Sequence, residues 1–192
     1  LNAALCFFSI DKLLAREKVS HFEWLNDHKL VVWCRKSSKK IELLRFNKFT
    51  EKYIISNVKK VINNLNPSLK QKITSTHYYV INLNNNNQVQ ILDKDILTED
   101  GHPQISTNKN FLITDTYANN RGFQKLLFYE IKKDKTHEIG EFKVDNNLIN
   151  KGLKYDLHPR WNFDDNLISI DSSHEGSRQS YILNLERYIK QF

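Results

Sequence analysis

An internal repeat constrains this chain more than any other feature of its sequence. The stretches HPQISTNKNFLITD (102–115) and HPRWNFDDNLISID (158–171) both begin His-Pro and both end in Asp. A third stretch, HFEWLNDHKLVVWC (21–34), fits the same frame and aligns Trp24 with Trp161. Three copies of one apolar pattern predict three copies of one supersecondary unit.

Each copy predicts a β-hairpin, with a strand of about four residues, a polar turn and a second strand of apolar and β-branched residues. A third strand is predicted at 79–83, 127–131 and 181–185, and a fourth at 89–92 and 138–142. Four antiparallel strands repeated in tandem are typical of β-propeller blades. The predicted fold class is all-β, a β-propeller fragment of about three and a half four-stranded blades.

Blade number and spacing predict the domain organisation. Propellers close with about four to eight blades, so residues 1–192 are predicted to be a partial propeller domain, with the remaining blades of the parent chain as its partner. The first residue is Leu1 and the sequence contains no Met, which agrees with a fragment that starts mid-blade. The spacing between copies predicts an insertion at 36–76, within the first complete blade. An incomplete antiparallel β-domain is the alternative, and it would leave long unpaired sheet edges.

The formal net charge of +7 would suit a polyanionic partner. The basic residues are spread along the chain, however, and the abundance of Lys, Asn and Ile is what an AT-rich coding sequence produces. No nucleic-acid-binding pattern accompanies them, so we expect no nucleic acid partner. No apolar run is long enough to span a bilayer, so no membrane span is expected. Export and a cytoplasmic location both stay open.

Histidines at repeat-equivalent positions predict a metal site. A hairpin brings its ends together, so His102 should lie near Asp115 and His158 near Asp171. The same position recurs at His21. First strands surround the axis of a propeller, and these side chains should therefore converge in a ring of imidazoles and carboxylates. Imidazole and carboxylate bind divalent zinc or manganese.

The predicted metal ligands are His102, His158 and His174, the last of which lies three residues beyond Asp171. Asp115, Asp171 and His21 are predicted to support them. The alternative for each histidine taken alone is a hydrogen-bonded turn residue, and for each aspartate a loop cap. Their repeat-equivalent placement favours the shared site.

Two arginines near these histidines suggest an anionic ligand. Arg160 follows His158-Pro159, and Arg178 lies in DSSHEGSRQ (171–179). A planar guanidinium binds a carboxylate through two parallel hydrogen bonds, so either arginine could bind an acidic sugar or an internal aspartate. Trp24 and Trp161 fall on the inward phase of the repeat and are predicted to pack in the blade core.

Several stretches carry a resemblance to a known family: LTEDGHPQIS (97–106), LITDTY (112–117), DLHPRW (156–161) and DSSHEGSRQSYILNL (171–185). They resemble the C-terminal blades of polysaccharide lyase propellers of the oligogalacturonate lyase and ulvan lyase type, within the wider TolB-like propeller group. SHFEWL (20–25) resembles a blade start of that group. The resemblance covers most of 20–35 and 78–185.

The resemblance implies a seven-bladed parent that degrades uronic acid polysaccharides by β-elimination, with a divalent metal held by His102, His158 and His174. Relatives commonly have Cys where this chain has Pro103 and Tyr155, and a site without thiolates favours a harder metal. The implied partner is an acidic oligosaccharide or polysaccharide. The competing hypothesis is a non-catalytic TolB-like propeller for carbohydrate binding or polysaccharide assembly, with a structural metal.

Overall fold

A computed structural model describes residues 19–35, 76–84, 88–145 and 155–190. Their regular secondary structure is β-strand apart from one short helix, as the repeat predicts. The strands are β1 Val19–Asn26, β2 Lys29–Arg35, β3 Thr76–Asn82, β4 Gln88–Ile91, β5 Gln104–Ile105, β6 Phe111–Asp115, β7 Phe123–Glu130, β8 Lys135–Lys143, β9 Arg160–Trp161, β10 Leu167–Ser172 and β11 Gln179–Asn184, and the short helix α1 is Glu186–Ile189.

The strands form three sheets in which neighbours in sequence are neighbours in space. Two sheets have four strands, in the orders β1-β2-β3-β4 and β5-β6-β7-β8, and the third has the order β11-β10-β9. The pairs β3/β4, β5/β6, β6/β7, β7/β8, β9/β10 and β10/β11 are antiparallel. This up-and-down order is that of propeller blades, so the predicted fold class is confirmed.

The strand register confirms the repeat frame residue by residue. In the second sheet Gln104 pairs with Ile113. In the third sheet Arg160 pairs with Ser169. Arg160 follows Gln104, and Ser169 follows Ile113, by the same number of residues as His158 follows His102. The two hairpins are therefore equivalent in register as well as in sequence.

Proline limits the first strand of two repeats. We expected about four residues, but β5 and β9 have only two each. Pro103 and Pro159 come directly before them, and proline has no N–H to donate to a neighbouring strand. Phe22 takes this position in the first repeat, where β1 has eight residues.

The described residues divide into two compact units, one of residues 19–20, 32–35, 76–84 and 88–98 and the other of residues 21–31, 99–145 and 155–190. Among the described residues of the first unit, Cys34, Tyr78 and Ile81 are fully buried. The rings of Trp33 and Tyr78 lie 4.9 Å apart there. Burial raises the pKa of the Cys34 thiol to about 12, so this side chain behaves as a small apolar group.

The second unit has an apolar core built from strands of the second and third sheets. Its buried members are Ile113, Leu126, Phe128, Leu157, Ile168, Ile170 and Leu185. Trp161 packs against this cluster, 6.2 Å from the Phe128 ring, as predicted. Trp24 was also predicted to be a core residue, but it is 37% exposed, because its side chain lies on a face of β1 that alternates outward at Phe22 and Trp24.

Two predictions fall partly outside the described residues. β2 and β3 are adjacent in one sheet, and the insertion predicted between them at 36–76 lies outside the described residues except for Thr76. The half blade predicted before residue 19 also lies outside the described part. Within the described residues, no helix has the length and apolar character needed to cross a membrane.

Candidate metal centre

Asp115 connects two of the predicted histidines. Its Oδ1 accepts the backbone N–H of His102 at 2.7 Å and lies 2.9 Å from Nδ1 of the same residue. Its Oδ2 accepts the backbone N–H of His158 at 3.0 Å. The predicted proximity of His102 and Asp115 is confirmed, and the same carboxylate also binds the following repeat.

Glycine at position 101 permits this arrangement. A Cβ placed there would lie 1.8 Å from the carbonyl oxygen of Asp115, so any side chain would force the two segments apart. The end of β6 therefore approaches the backbone of Gly101 closely, which brings the N–H of His102 to the Asp115 carboxylate.

The imidazoles of the three repeats lie side by side. The ring centroids of His21 and His102 are 4.4 Å apart, and those of His102 and His158 are 3.7 Å apart. The predicted convergence of repeat-equivalent histidines is thus confirmed. His158 has φ 42, a left-handed backbone conformation. Such conformations are strained for a residue with a side chain and cluster at functional sites.

Each Asp-x-His segment places its carboxylate against the imidazole of the preceding repeat. Asp100 lies 3.1 Å from Nδ1 of His21. Asp156 groups with His102, and its negative charge adds a smaller contribution to the raised pKa of that imidazole, after those of Asp115. Sequence reasoning missed Asp156, although Asp-x-His recurs at 100–102 and 156–158.

Among the described residues, His102, Asp156 and His158 form a group that could hold a metal ion. Their potential ligand atoms all lie within 4.8 Å of one another. Nδ1 of His102 faces a carboxylate, and Nδ1 of His158 lies 3.2 Å from the backbone carbonyl of Asp156. Both acceptors require an N–H, so Nε2 carries the lone pair of each neutral ring.

This donor set suits a divalent ion. Two imidazoles and one carboxylate are ordinary ligands of zinc and manganese. A carboxylate that accepts the second N–H of a ligating histidine fixes its ring and raises its basicity, which is the relation of Asp115 to His102. The residues present therefore fit the metal that the family resemblance implies.

Electrostatics favour the hydrogen bond between the Asp115 carboxylate and the His102 ring. Burial alone would lower the pKa of His102, but the hydrogen bond and charge of Asp115 outweigh it, and the pKa is raised. Burial would raise the pKa of Asp115, but its hydrogen bonds with His102 and the backbone hold it below its ordinary value. The carboxylate therefore remains an acceptor at neutral pH.

His174, the third predicted ligand, is not a member of this group. Its Nδ1 lies 2.8 Å from the hydroxyl of Ser172. Its ring packs 4.7 Å from Tyr181 and 5.5 Å from Phe142. Among the described residues, Asp156 is the third member instead.

Asp171 forms an ion pair with Arg178, and the charge of His158 is a smaller cause of its lowered pKa, as expected of neighbouring side chains. Its carboxylate pairs with Arg178 at 2.6 Å and accepts the Ser180 hydroxyl at 2.7 Å. These contacts hold the pKa of Asp171 below its ordinary value, with the Arg178 hydrogen bond as the largest cause. The backbone N–H of Asp171 donates to the carbonyl of Leu157 at 2.8 Å, which places Asp171 next to His158.

The two arginines have different surroundings. Arg178 binds the internal aspartate, one of the two predicted alternatives, and its guanidinium lies 5.0 Å from the centroid of the Tyr155 ring. Arg160 donates to the carbonyl of Pro159 at 2.9 Å. Its positive charge lowers the pKa of His102, against the larger effect of Asp115. Arg160 is therefore the arginine whose charge acts on the imidazole group.

Tyr117 also borders the imidazoles, and sequence reasoning gave it no role. Its ring lies 5.7 Å from that of His102 in an edge-on arrangement and 6.4 Å from that of His21. Burial raises the pKa of its hydroxyl, with smaller contributions from the charges of Asp100, Asp156 and Asp115. The residue closes the LITDTY stretch, which was the available signal.

Tandem four-stranded antiparallel sheets with equivalent strands along one chain define the class of this protein as a β-propeller. No protein-family model matches the chain, and no curated protein matches it.

Two solved propellers are similar to this chain. TolB from Acinetobacter baumannii is similar with a TM-score of 0.54 at 10% identity, over 89% of this chain and 31% of that chain. The β-propeller domain of the Trilobed protease from Pyrococcus furiosus has a TM-score of 0.49 at 11% identity, over 89% of this chain and 40% of that chain. The chain thus spans about a third of the length of TolB, and the likeness to TolB supports a TolB-like propeller fold.

Proposed function

We propose that His102, Asp156 and His158 bind a divalent metal ion and that this site receives the carboxylate of a uronic acid saccharide. The observation that carries the proposal is the convergence of two imidazoles, each with Nδ1 directed at an acceptor, and one carboxylate within 4.8 Å. The resemblance of the 97–106, 112–117, 156–161 and 171–185 stretches to polysaccharide lyases supplies the substrate class. The proposed reaction is β-elimination.

The residues around the site suit that chemistry. Removal of the proton on C5 of a uronate requires neutralisation of the neighbouring carboxylate, and a bound divalent metal would supply it. Arg160 adds positive charge near His102. We assign His21 as the base, because Asp100 lies on its Nδ1 side and its ring is 4.4 Å from His102.

The test is the ultraviolet absorbance of the unsaturated uronate product. The full-length protein, supplied with zinc or manganese, is mixed with pectic, ulvan and glucuronan oligomers. We expect product with the wild type, loss of product in His158→Ala and retention in the matched control His174→Ala. A metal-loaded wild type that forms no product from any of the three would contradict the lyase proposal.

A second candidate function has its own supporting observation. Asp115 hydrogen-bonds to histidines of two successive repeats, so a metal on His102 and His158 could act by fastening adjacent blades in a non-catalytic, carbohydrate-binding propeller. Such a protein would bind the oligomers without forming product, and removal of the metal would lower its melting temperature. The product assay and a melting curve together separate the two functions.

A further inference from the structure

Tyr117 is presented to solvent by a fixed backbone next to the imidazole group. The preceding residue, Thr116, donates its N–H to the carbonyl of Lys125 at 3.0 Å, and its hydroxyl accepts the Lys125 N–H at 3.0 Å. The turn that follows is closed by Asn119, whose backbone N–H donates to the carbonyl of Phe123 at 2.9 Å. Tyr117 therefore leaves the sheet from an anchored position.

The ring combines contact with the imidazoles and access from solvent. It lies edge-on to His102 at 5.7 Å and tilted to His21 at 6.4 Å, while 42% of the residue remains exposed. An amphipathic aromatic side chain beside convergent polar groups is the usual composition of a small-molecule site. The ring offers an apolar surface, and the hydroxyl offers a hydrogen-bond donor.

We infer that Tyr117 is a saccharide-contacting residue of the candidate metal centre, where its ring packs on the pyranose and its hydroxyl donates to a sugar oxygen. This inference rests on the proposed function, since it assigns a contact to the ligand proposed there. Tyr117 is not proposed to bind the metal. Metal binding and saccharide binding should therefore respond differently to its substitution.

The experiment measures saccharide affinity by titration calorimetry on the full-length, metal-loaded protein, with a galacturonate hexamer, an ulvan oligomer and a glucuronan oligomer as probes. Zinc and manganese content after dialysis is measured on the same samples. The variants are Tyr117→Ala and Tyr117→Phe. Tyr188→Ala is the matched control, because Tyr188 is 40% exposed and lies in α1.

We expect Tyr117→Ala to weaken binding of the preferred oligomer about tenfold, which corresponds to about 1.4 kcal/mol. Tyr117→Phe should weaken it about threefold, since it keeps the ring and loses the hydroxyl. Metal content should be unchanged in both variants. Tyr188→Ala should match the wild type.

The contrary outcomes are distinct. A wild type that binds the oligomers while Tyr117→Ala binds them equally well overturns the inference and leaves the proposed function intact. Loss of metal in Tyr117→Ala would assign the residue a structural role and also overturn the inference. A metal-loaded wild type that binds none of the three oligomers would contradict the proposed function, and the inference with it.

Discussion

Asp115 is the residue on which the geometry of the site depends. It is fully buried, and its two oxygens bind the backbone and ring of His102 and the backbone of His158. A buried carboxylate is costly unless it is paired and hydrogen-bonded, and these contacts satisfy it. Its position at the end of β6 fixes both histidine backbones together.

Replacement of this carboxylate should loosen both histidines. Asp115→Asn removes the charge and presents an amide N–H to one of the groups that now donate. We expect a loss of about 2 kcal/mol in the free energy of unfolding, measured with urea, and about a tenfold loss in metal affinity. The control is Asp164→Asn, because Asp164 is an exposed aspartate in the β9–β10 turn. Equal stability of both variants would contradict the role of Asp115.

The ion pairs of Glu130 lead us to expect that the stability of the fold depends on pH. Its side chain is 2.8 Å from Nε2 of His137 and 3.0 Å from Nζ of Lys133. Burial would raise the pKa of Glu130, but these two partners hold it below its ordinary value of 4.5.

A carboxylate with a lowered pKa stabilises the fold fully above its unfolded pKa, and this contribution is lost as the pH falls through the folded value. We expect the free energy of unfolding to decrease below pH 4.5. The decrease should be smaller in Glu130→Gln. Urea titrations at several pH values check this, and identical acid profiles for the two proteins would refute it.

At the residue scale, the sequence predicted the contacts that strand register enforces. His102 and Asp115 lie at the two ends of one hairpin, and the imidazoles of 21, 102 and 158 recur at one repeat position. His174 follows β10, where no pairing fixes its direction, and its hydrogen bond to Ser172 places it away from the group. Asp156 precedes its strand and faces a histidine of another repeat, a contact that hairpin geometry alone does not predict.

At the scale of elements, a carboxylate of one hairpin turn caps the turn of the preceding hairpin. Asp165 accepts the backbone N–H groups of Thr107 at 2.6 Å and Asn108 at 2.7 Å. It has φ 55, and its repeat equivalent Lys109 has φ 61. The turn needs this left-handed position, and aspartate tolerates it while its side chain reaches the neighbouring turn.

Asp165→Asn should weaken the contact between the two hairpins. The asparagine tolerates the same backbone conformation, but it keeps only one acceptor for two N–H donors. We expect a loss of about 1 to 2 kcal/mol in the free energy of unfolding, while Asp164→Asn next to it serves as the matched control. Hydrogen exchange of the Thr107 and Asn108 amides should accelerate in the Asp165 variant alone; unchanged exchange would contradict the cap.

The strands themselves could be predicted because apolar alternation and turn residues mark them directly. The third strands predicted at 127–131 and 181–185 overlap β7 and β11 of the structure. The lengths of β5 and β9 were overestimated, since the effect of Pro103 and Pro159 on the first ladder positions outweighs the apolar pattern.

At the scale of the whole molecule, the described surface carries large apolar side chains that are exposed to solvent. Phe163 is 85% exposed in the β9–β10 turn, and Ile182 is 66% exposed on the terminal strand β11 of its sheet. β11 also has an unpaired edge within the described sheet, and such edges pair readily with other chains.

The 192-residue chain expressed alone should therefore associate despite its formal net charge of +7, which ordinarily aids solubility. Exposed apolar patches above about a few hundred Å² drive association. Sedimentation at several protein concentrations measures it. A compact monomer with cooperative unfolding at all concentrations would refute the expectation and require that these residues close a core of their own.

The metal content of the full-length protein tests the central claim most directly. After exposure to zinc or manganese and exhaustive dialysis, the wild type and His174→Ala should retain a stoichiometric amount of metal, while His158→Ala and Asp156→Asn should lose it. Circular dichroism confirms that each variant is folded. A folded wild type without metal, or metal retained in His158→Ala and lost in His174→Ala, would contradict the site formed by His102, Asp156 and His158.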